Sequence, residues 1–283
     1  METTNFGLND LHQVQLDMLK HLVKVCKDQG FTYFLSFGSL LGAVRNHSII
    51  PWDDSIDVIM PYPDYEKLTN LPRDVWGKDL FMQTYDTDPQ YPRCYAKLRN
   101  STTTLIKADY ADCDINQGIY INIMPLIRLA DKPDERKKQQ KDAKLYKAIT
   151  ERKPLTADEW PLRLYSSILV ETASDSKREK MREELKAQVF SHEDENTKDC
   201  FVLAGDISLN LALPVEWFSE AVPCEFEGMS VNIPKGWHEW LTLRYGDYMS
   251  VPITDIQGDK IAGFLALDTG KPYTEYKGIS YCC

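Results

Sequence analysis

The sequence lacks any run of 18 consecutive apolar residues, so it predicts no integral membrane segment. The first ten residues have neither a basic segment nor an apolar stretch, and no secretory signal is predicted there. Positive charge is also in deficit, since 33 lysines and arginines against 43 acidic residues give a net charge of −10. A surface that grips polymer phosphates usually has the opposite sign, so no nucleic-acid partner is expected.

Paired cysteines are absent as well. The seven cysteines are scattered and form no C-x-x-C pair, whereas zinc sites need closely spaced ligands and disulfide frameworks belong mainly to small secreted chains. The adjacent Cys282 and Cys283 lie too near the end for a prenylation signal. We therefore expect reduced thiols and a cytoplasmic protein.

The 283 residues, 43% hydrophobic and 27% charged, have the composition of a folded protein with a sizeable core. Apolar periodicity and turn residues predict an α+β fold, a mixed sheet with flanking helices followed by a helical middle and a C-terminal α/β segment. Predicted helices cover residues 9–29, 40–45, 65–71, 131–153, 162–170, 177–190 and 237–245. Predicted strands cover residues 31–37, 57–60, 80–85, 95–98, 102–106, 118–124, 201–203, 225–228 and 231–233. We expect strands 95–98 and 102–106 to pair, and Pro125 to end strand 118–124.

Two neighbouring features carry candidate chemistry. Gly38 and Ser39 follow a predicted strand, and the backbone N–H groups of such a turn can face a phosphate at a helix start. Side chains alternate along a strand, so Asp53, Ser55 and Asp57 would share one face there. Carboxylates on that face, beside the turn, could hold Mg²⁺.

These residues resemble the signature of the LicD family, which comprises bacterial phosphocholine transferases and relatives that include fukutin and fukutin-related protein. The resemblance is carried by GSLLGAVR at residues 38–45 and IPWDDSID at residues 50–57. It continues over nearly the whole chain, at residues 62–65, 95–99, 103–104, 118–125, 214–218, 226–228, 233–234 and 245–249 and at Pro252.

The resemblance implies a nucleotidyltransferase-like core over residues 1–130, a helical insertion at 131–199 and a segment at 200–283 that completes the pocket, in one compact unit. It implies transfer of a phosphorylated alcohol, phosphocholine-like, from a CDP-linked donor to a glycan or polyol hydroxyl, with Mg²⁺ or Mn²⁺. By the family's pattern, the donor phosphates would be bound by Gly38, Ser39, Arg45 and Lys97. Asp53 and Asp57 would be the catalytic and metal-binding acids, with Asp53 as candidate general base.

Two residues depart from the family's pattern, because Ser55 and Asn122 stand where the family normally has acids. Neutral oxygens are weaker Mg²⁺ ligands, so metal affinity should fall. Three explanations stay open: a silent relative that binds nucleotide or glycan, an active enzyme whose metal is held by donor phosphates with Asp57 and Asp53, or a deliberate Asp→Asn replacement at position 122. Transfer of the nucleotidyl group to a small molecule is a further alternative.

The remaining candidates have simpler interpretations. His12 and His21 are expected to be surface groups of the first helix. A glycolipid acceptor would bring the protein to the inner face of the membrane, yet no basic amphipathic stretch in the sequence supports such an association.

Overall fold

A computed structural model describes residues 8–156, 160–193, 196–204, 211–250 and 263–281. The predictions made for residues 1–7, for Pro252 and for the terminal cysteine pair therefore lie outside the described residues. Within the described part of the chain, no helix is both long and apolar enough to cross a membrane. Its five cysteines are free thiols.

The first helix, α1 (Leu8–Gln29), forms because apolar side chains recur every three or four residues and give it one buried face. Leu11, Leu19 and Leu22 are fully buried on that face. The helix ends where Gly30 takes a positive φ of 72°, a conformation that glycine adopts without steric cost. The predicted helix at residues 9–29 therefore agrees with the structure.

The central sheet is mixed and has the strand order β1–β2–β6–β4–β3. The five strands are β1 (Phe34–Leu35), β2 (Asp57–Pro61), β3 (Leu80–Gln83), β4 (Ala96–Asn100) and β6 (Ile119–Leu129). Strands β2 and β6 are parallel, and the other neighbours in this order are antiparallel. With helices on the same sheet, the predicted α+β class is confirmed.

Strand β6 is longer than expected because Pro125 does not end it. The strand continues to Leu129, and its last residues pair with β7 (Asp199–Val202), which pairs in turn with β8 (Leu213–Pro214). The carbonyl of Pro125 accepts a hydrogen bond from the Leu203 N–H at 3.0 Å. The position where proline lacks an N–H faces the same edge of β6, in the gap between its pairing with β4 and its pairing with β7. No hydrogen bond between strands is therefore lost there.

The predicted pairing of residues 95–98 with 102–106 is wrong. Strand β4 already has β3 on one edge and β6 on the other, which leaves no free edge for β5 (Thr104–Lys107). Instead β5 pairs with β11 (Phe264–Asp268), about 160 residues further along the chain. The C-terminal segment is thereby tied to the first half of the protein.

A hairpin of β9 (Ala221–Phe226) and β10 (Met229–Pro234) packs beside β1. Its two-residue turn consists of Glu227 and Gly228, with φ values of 51° and 71°. Positive φ at both central residues matches the right-handed twist of the flanking strands.

The remaining helices flank the sheet. They are α2 (Phe37–Asn46), α3 (Tyr62–Thr69), α4 (Pro133–Glu151), α5 (Trp160–Thr172), α6 (Asp175–Val189) and α7 (Trp237–Tyr245). Helices α4, α5 and α6 follow one another between β6 and β7, and α4 packs against both α5 and α6.

Gly118 offers a test of the β4–β6 pairing. A Cβ added at Gly118 would collide with the backbone carbonyl of Asn100, which cannot move without breaking the strand pair. We therefore expect Gly118→Ala to lower the free energy of unfolding by about 2 kcal/mol in urea denaturation. Gly270→Ala is the control, because the only atom close to its added Cβ is a side-chain oxygen of Asp268 at 3.6 Å. Equal stability of the two variants would contradict this account.

Candidate active site

The start of α2 is fixed to the start of β2 by two hydrogen bonds. The backbone N–H of Asp57 donates to the hydroxyl of Ser39 at 2.8 Å, and the N–H of Ser36 donates to the carbonyl of Asp57 at 2.9 Å. Phe37, the first residue of α2, has a φ of +48°, which is unusual for a residue with a side chain and is often found at functional sites. This junction holds the Gly38-Ser39 pair beside Asp57.

Asp53 reaches the same junction from a turn, not from a strand. Strand β2 begins only at Asp57, and the N–H of Asp53 donates to the carbonyl of Ile50 at 2.8 Å. The buried Asp53 carboxylate lies so close to Gly38 that a Cβ on Gly38 would overlap it. Gly38 is therefore required for this contact, and the premise that Asp53, Ser55 and Asp57 share one strand face is wrong.

His12 is half-buried and not a free surface group. Its ring Nε2 lies 2.7 Å from the carbonyl oxygen of Asp53, and His21 makes a similar contact of 3.1 Å with the carbonyl of Val75. Gln15, fully buried in the next turn of α1, donates to the carbonyls of Asp54 and Tyr120 at 2.9 and 3.1 Å. Helix α1 thus holds the Asp53 turn in place.

Ser55, Asp57 and Asn122 form one cluster. The register of the parallel strands places Asp57 opposite Asn122, and the Asn122 side-chain amide donates to the Asp57 carboxylate at 2.7 Å. The hydroxyl of Ser55 contacts the same carboxylate oxygen at 3.4 Å. The amide oxygen of Asn122 is buried and accepts no hydrogen bond from the residues that the structure describes. An acceptor left unsatisfied in this way costs stability unless a donor or a cation reaches it.

The residues present fit a weak divalent-cation site. Asp57, Asn122 and Ser55 offer only oxygen atoms, which Mg²⁺ and Mn²⁺ prefer, and the unsatisfied amide oxygen is one of them. In the part of the chain that the structure describes, no three His, Cys, Asp or Glu side chains are grouped closely enough to hold a metal ion. Such a site would need waters or ligand oxygens to complete it.

Asp54 points away from this cluster and forms an ion pair with Lys107 on β5. Burial disfavours the charge on Lys107, but Tyr120 and Asp54 outweigh it and raise the pKa of the lysine. Neither Asp54 nor Lys107 was among the residues for which the sequence predicted a role. Their separation of 53 residues leaves no local signal that could have linked them.

Lys97, on β4, lies in the same row of the sheet, since it stands opposite Asn122 on β6. It is 2% exposed, and its ammonium lies 3.3 Å from the centre of the Tyr120 ring. Burial, with positive charge on Arg99, Lys107 and Arg93, lowers the pKa of Lys97 well below its ordinary value. Lys97, which was predicted to contact the donor phosphates, therefore stands next to the cluster in the sheet, but its side chain is buried in this structure.

Arg45 is placed elsewhere. Seven residues separate it from Gly38, which is about 10 Å along the axis of α2. Its guanidinium donates to Asn46 and to the carbonyls of Tyr248 and Ser250, at 2.8, 3.5 and 3.1 Å. The structure thus brings together Gly38, Ser39, Asp53, Ser55, Asp57 and Asn122, with Lys97 beside them and Arg45 apart.

The end of α7 carries a further side chain that responds to the charge of the cluster. Partial burial raises the pKa of Tyr245, and negative charge on Asp57 and Asp53 adds to that rise. Arg244 stacks over the ring of Phe37 at 4.5 Å. In the sequence, only the family resemblance at residues 245–249 indicated that this helix end could be part of the site.

Comparison with known proteins agrees with this placement. Residues 30–125, which contain the whole cluster, match the family described as "LicD/FKTN/FKRP, nucleotidyltransferase domain". The chain is 26% identical over 261 residues to "Lipopolysaccharide cholinephosphotransferase LicD" of Haemophilus influenzae, covering 87% of this chain and 92% of that protein. The chain thus resembles the LicD family, in the matched domain and over most of its length. The resemblance stated from the motifs is confirmed, and the family's nucleotidyltransferase domain spans α2, β2 and β6.

Asn122→Asp tests whether the cluster of Ser55, Asp57 and Asn122 can hold a divalent cation. Without a divalent cation, the new carboxylate would face Asp57 in place of a hydrogen bond, so we expect a lower melting temperature than in the parent. Mg²⁺ or Mn²⁺ should restore at least about 4 °C, since about 1 kcal/mol moves the melting temperature by 2–4 °C in a domain of this size. Asn232→Asp on β10 is the control. An equal cation response in parent and variant would rule the site out.

Lys97→Met tests whether the buried lysine costs stability. The unfolded chain keeps a proton on this lysine up to its ordinary pKa of 10.5, whereas the folded chain releases it at lower pH. Parental stability should therefore rise as pH increases through that window. We expect Lys97→Met to be more stable at pH 7, by about 1 kcal/mol or more, with an advantage that shrinks towards pH 10. Urea midpoints at several pH values measure this, with exposed Lys20→Met as control; a pH-independent difference would contradict it.

Proposed function

We propose that this chain is a LicD-type phosphotransferase that moves a phosphorylated alcohol, phosphocholine-like, from a CDP-linked donor to a glycan or polyol hydroxyl. The observation that carries the proposal is the fixed junction of α2 and β2, which sets Asp53 and Asp57 beside Ser39 inside the matched domain. The relative from Haemophilus influenzae is named as a cholinephosphotransferase, and its similarity to this chain extends over most of both proteins.

In the proposed reaction, the acceptor hydroxyl oxygen forms a bond to the β-phosphorus of the donor. The bond between that phosphorus and the bridging oxygen breaks, and CMP leaves with the electron pair. Asp53 is the candidate base for the hydroxyl proton, because its carboxylate is buried beside the start of α2. Most catalysis in phosphoryl transfer is positioning and charge stabilisation, which a fixed junction supplies.

Ser39 can donate a hydrogen bond to a phosphate even though its hydroxyl oxygen already accepts one from Asp57. Its oxygen accepts the hydrogen bond from the Asp57 N–H, so the hydroxyl hydrogen remains available to donate. Asp57 and Asn122, with Ser55, would hold a divalent cation, which when bound would neutralise negative charge on the donor phosphates. Gly38 contributes by leaving space for Asp53 rather than through a side chain of its own.

A second candidate, a silent relative that binds nucleotide or glycan, is favoured by the Asn122–Asp57 hydrogen bond. That bond satisfies the carboxylate without any cation, so the fold does not depend on metal at this point. This candidate predicts donor binding that EDTA does not weaken and no release of CMP.

The test is turnover of CDP-choline, CDP-ethanolamine, CDP-glycerol and CDP-ribitol, each with Mg²⁺ or Mn²⁺ and with glycan and polyol acceptors. We expect CMP release with at least one donor, and Asp57→Asn should lower kcat by about 100-fold or more because it weakens binding of the cation that would neutralise the donor phosphates. Asp28→Asn, on the exposed surface of α1, is the matched control.

Mass spectrometry of the acceptor separates the alternatives. Addition of the phosphorylated alcohol supports the proposal, whereas addition of CMP indicates nucleotidyl transfer. Absence of both turnover and binding for every donor would overturn the phosphotransferase assignment. Donor binding without turnover, unchanged by EDTA, would establish the silent relative.

A further inference from the structure

Helix α5 exposes an apolar stripe. Trp160, Leu164 and Ile168 follow one another at steps of four residues, so they lie along one side of the helix, and they are 70, 45 and 52% exposed. Tyr165, 47% exposed, borders the stripe. Single exposed apolar residues are normal, but a contiguous row usually marks an interaction surface. The buried contacts of α5 are made by other residues, among them Ser166 and Leu169.

A row of lysines on α4 faces α5. Lys137, Lys141 and Lys144 recur at steps of four and three residues and line a groove of about 610 Å³. The α5 side of the groove includes Tyr165, which also borders the stripe, so the lysine row and the stripe meet at this residue. In the described part of the chain, neither Lys137 nor Lys141 has an ion-pair partner. This positive row stands out in a protein with a net charge of −10. Its nearest exposed acid on α5 is Glu171, at the opposite end of the helix from Trp160.

We propose that the α4–α5 face, defined by Trp160, Leu164, Ile168 and the lysines of α4, binds the surface of an anionic lipid bilayer. The apolar side chains would enter the headgroup region, where tryptophan is favoured because its ring is amphipathic. Lys137 and Lys141 would extend along the same plane and place their ammonium groups against anionic headgroups. An apolar stripe flanked by lysines is the arrangement that gives surface binding without a spanning helix.

Charge decides against a second copy of the chain as the occupant. A two-fold interface uses the same patch on both subunits, so the lysine row would face its own copy and like charges would repel. A stable interface also needs about 800 Å² from each partner, whereas the exposed stripe is one side of a 13-residue helix.

The feature escaped the sequence analysis because its two halves lie on different helices. Helix α4 supplies the positive charge, α5 supplies the apolar side chains, and neither helix alone is a basic amphipathic stretch. Only the packing of α4 against α5 brings the two rows together. The proposal concerns a surface and does not depend on the transfer chemistry.

The test is co-sedimentation of the full chain with vesicles of phosphatidylcholine alone, or with phosphatidylglycerol replacing part of it. We expect binding to the anionic vesicles that weakens as salt is added, and much weaker binding to the neutral ones. Lys137→Gln with Lys141→Gln should weaken anionic-vesicle binding about 25-fold at low salt. Trp160→Ser with Ile168→Ser should weaken it at least about tenfold.

Matched controls separate this face from general surface effects. Lys20→Gln with Lys24→Gln removes the same charge at the same spacing on exposed α1, and Ile279→Ser removes an apolar side chain that is 82% exposed. Both controls should bind vesicles as the parent does. Circular dichroism and urea midpoints check that every variant remains folded.

The proposal is overturned if the parent binds neither kind of vesicle, or if the α1 control loses as much binding as the α4 variant. Self-association that Trp160→Ser abolishes, without vesicle binding, would instead identify an interface between copies. Turnover with soluble donor and acceptor should be unchanged in the α4–α5 variants. A chain without turnover that still binds vesicles would refute the proposed function and leave this surface supported.

Discussion

The hydrogen bond from the Asp57 N–H to the Ser39 hydroxyl is the constraint on which the rest of the site depends. It joins the first turn of α2 to the first residue of β2, two elements separated in the chain by a loop. Because β2 runs parallel to β6, fixing Asp57 also fixes its register with Asn122. The same loop turns at Asp53 and places that carboxylate against Gly38. One contact therefore sets two carboxylates, a hydroxyl and an amide within a single junction.

The replacement of an expected acid by Asn122 has a physical consequence beyond weaker metal binding. Two carboxylates at this separation would repel each other without a cation, and the folded state would then depend on metal. The amide instead donates to Asp57 and stabilises the junction in the metal-free protein. The amide oxygen of Asn122 remains buried without a hydrogen-bond donor among the described residues, so part of the cost of burying this side chain is not compensated. The junction can therefore fold without a cation, and a cation bound there would be held with lower affinity than at an all-carboxylate cluster.

Local sequence patterns were sufficient for elements whose contacts are periodic or close in the chain. The buried face of α1 and the strand that begins at Asp57 both follow from spacing and turn residues. The start of α2 does not, because the helix begins at Phe37, which the apolar pattern assigns to the preceding strand. The family signature further indicated which residues gather at the junction. Pairings between distant segments had no such signal, which is why β5 was assigned to the wrong neighbour. The ion pair of Asp54 with Lys107 was missed for the same reason.

Net charge describes the whole chain and not the neighbourhood of the site. A total of −10 argues against a broad phosphate-binding surface, yet four cations collect behind the junction: Arg93, Lys97, Arg99 and Lys107. Three of them, Lys97, Arg99 and Lys107, lie over the ring of Tyr120, which stands two residues before Asn122 and so on the same face of β6.

Two strand spacings, about 10 Å, separate Lys97 from Asp57 across the sheet. At that distance, in a poorly solvated interior, buried positive charge is screened far less than charge on the surface. An anion that enters the junction is therefore attracted by this layer even without touching it. A buried cation costs stability unless an opposite charge compensates it, and Lys107 has Asp54 as such a partner. Lys97 is the member of this layer whose charge an anion bound at the junction would compensate.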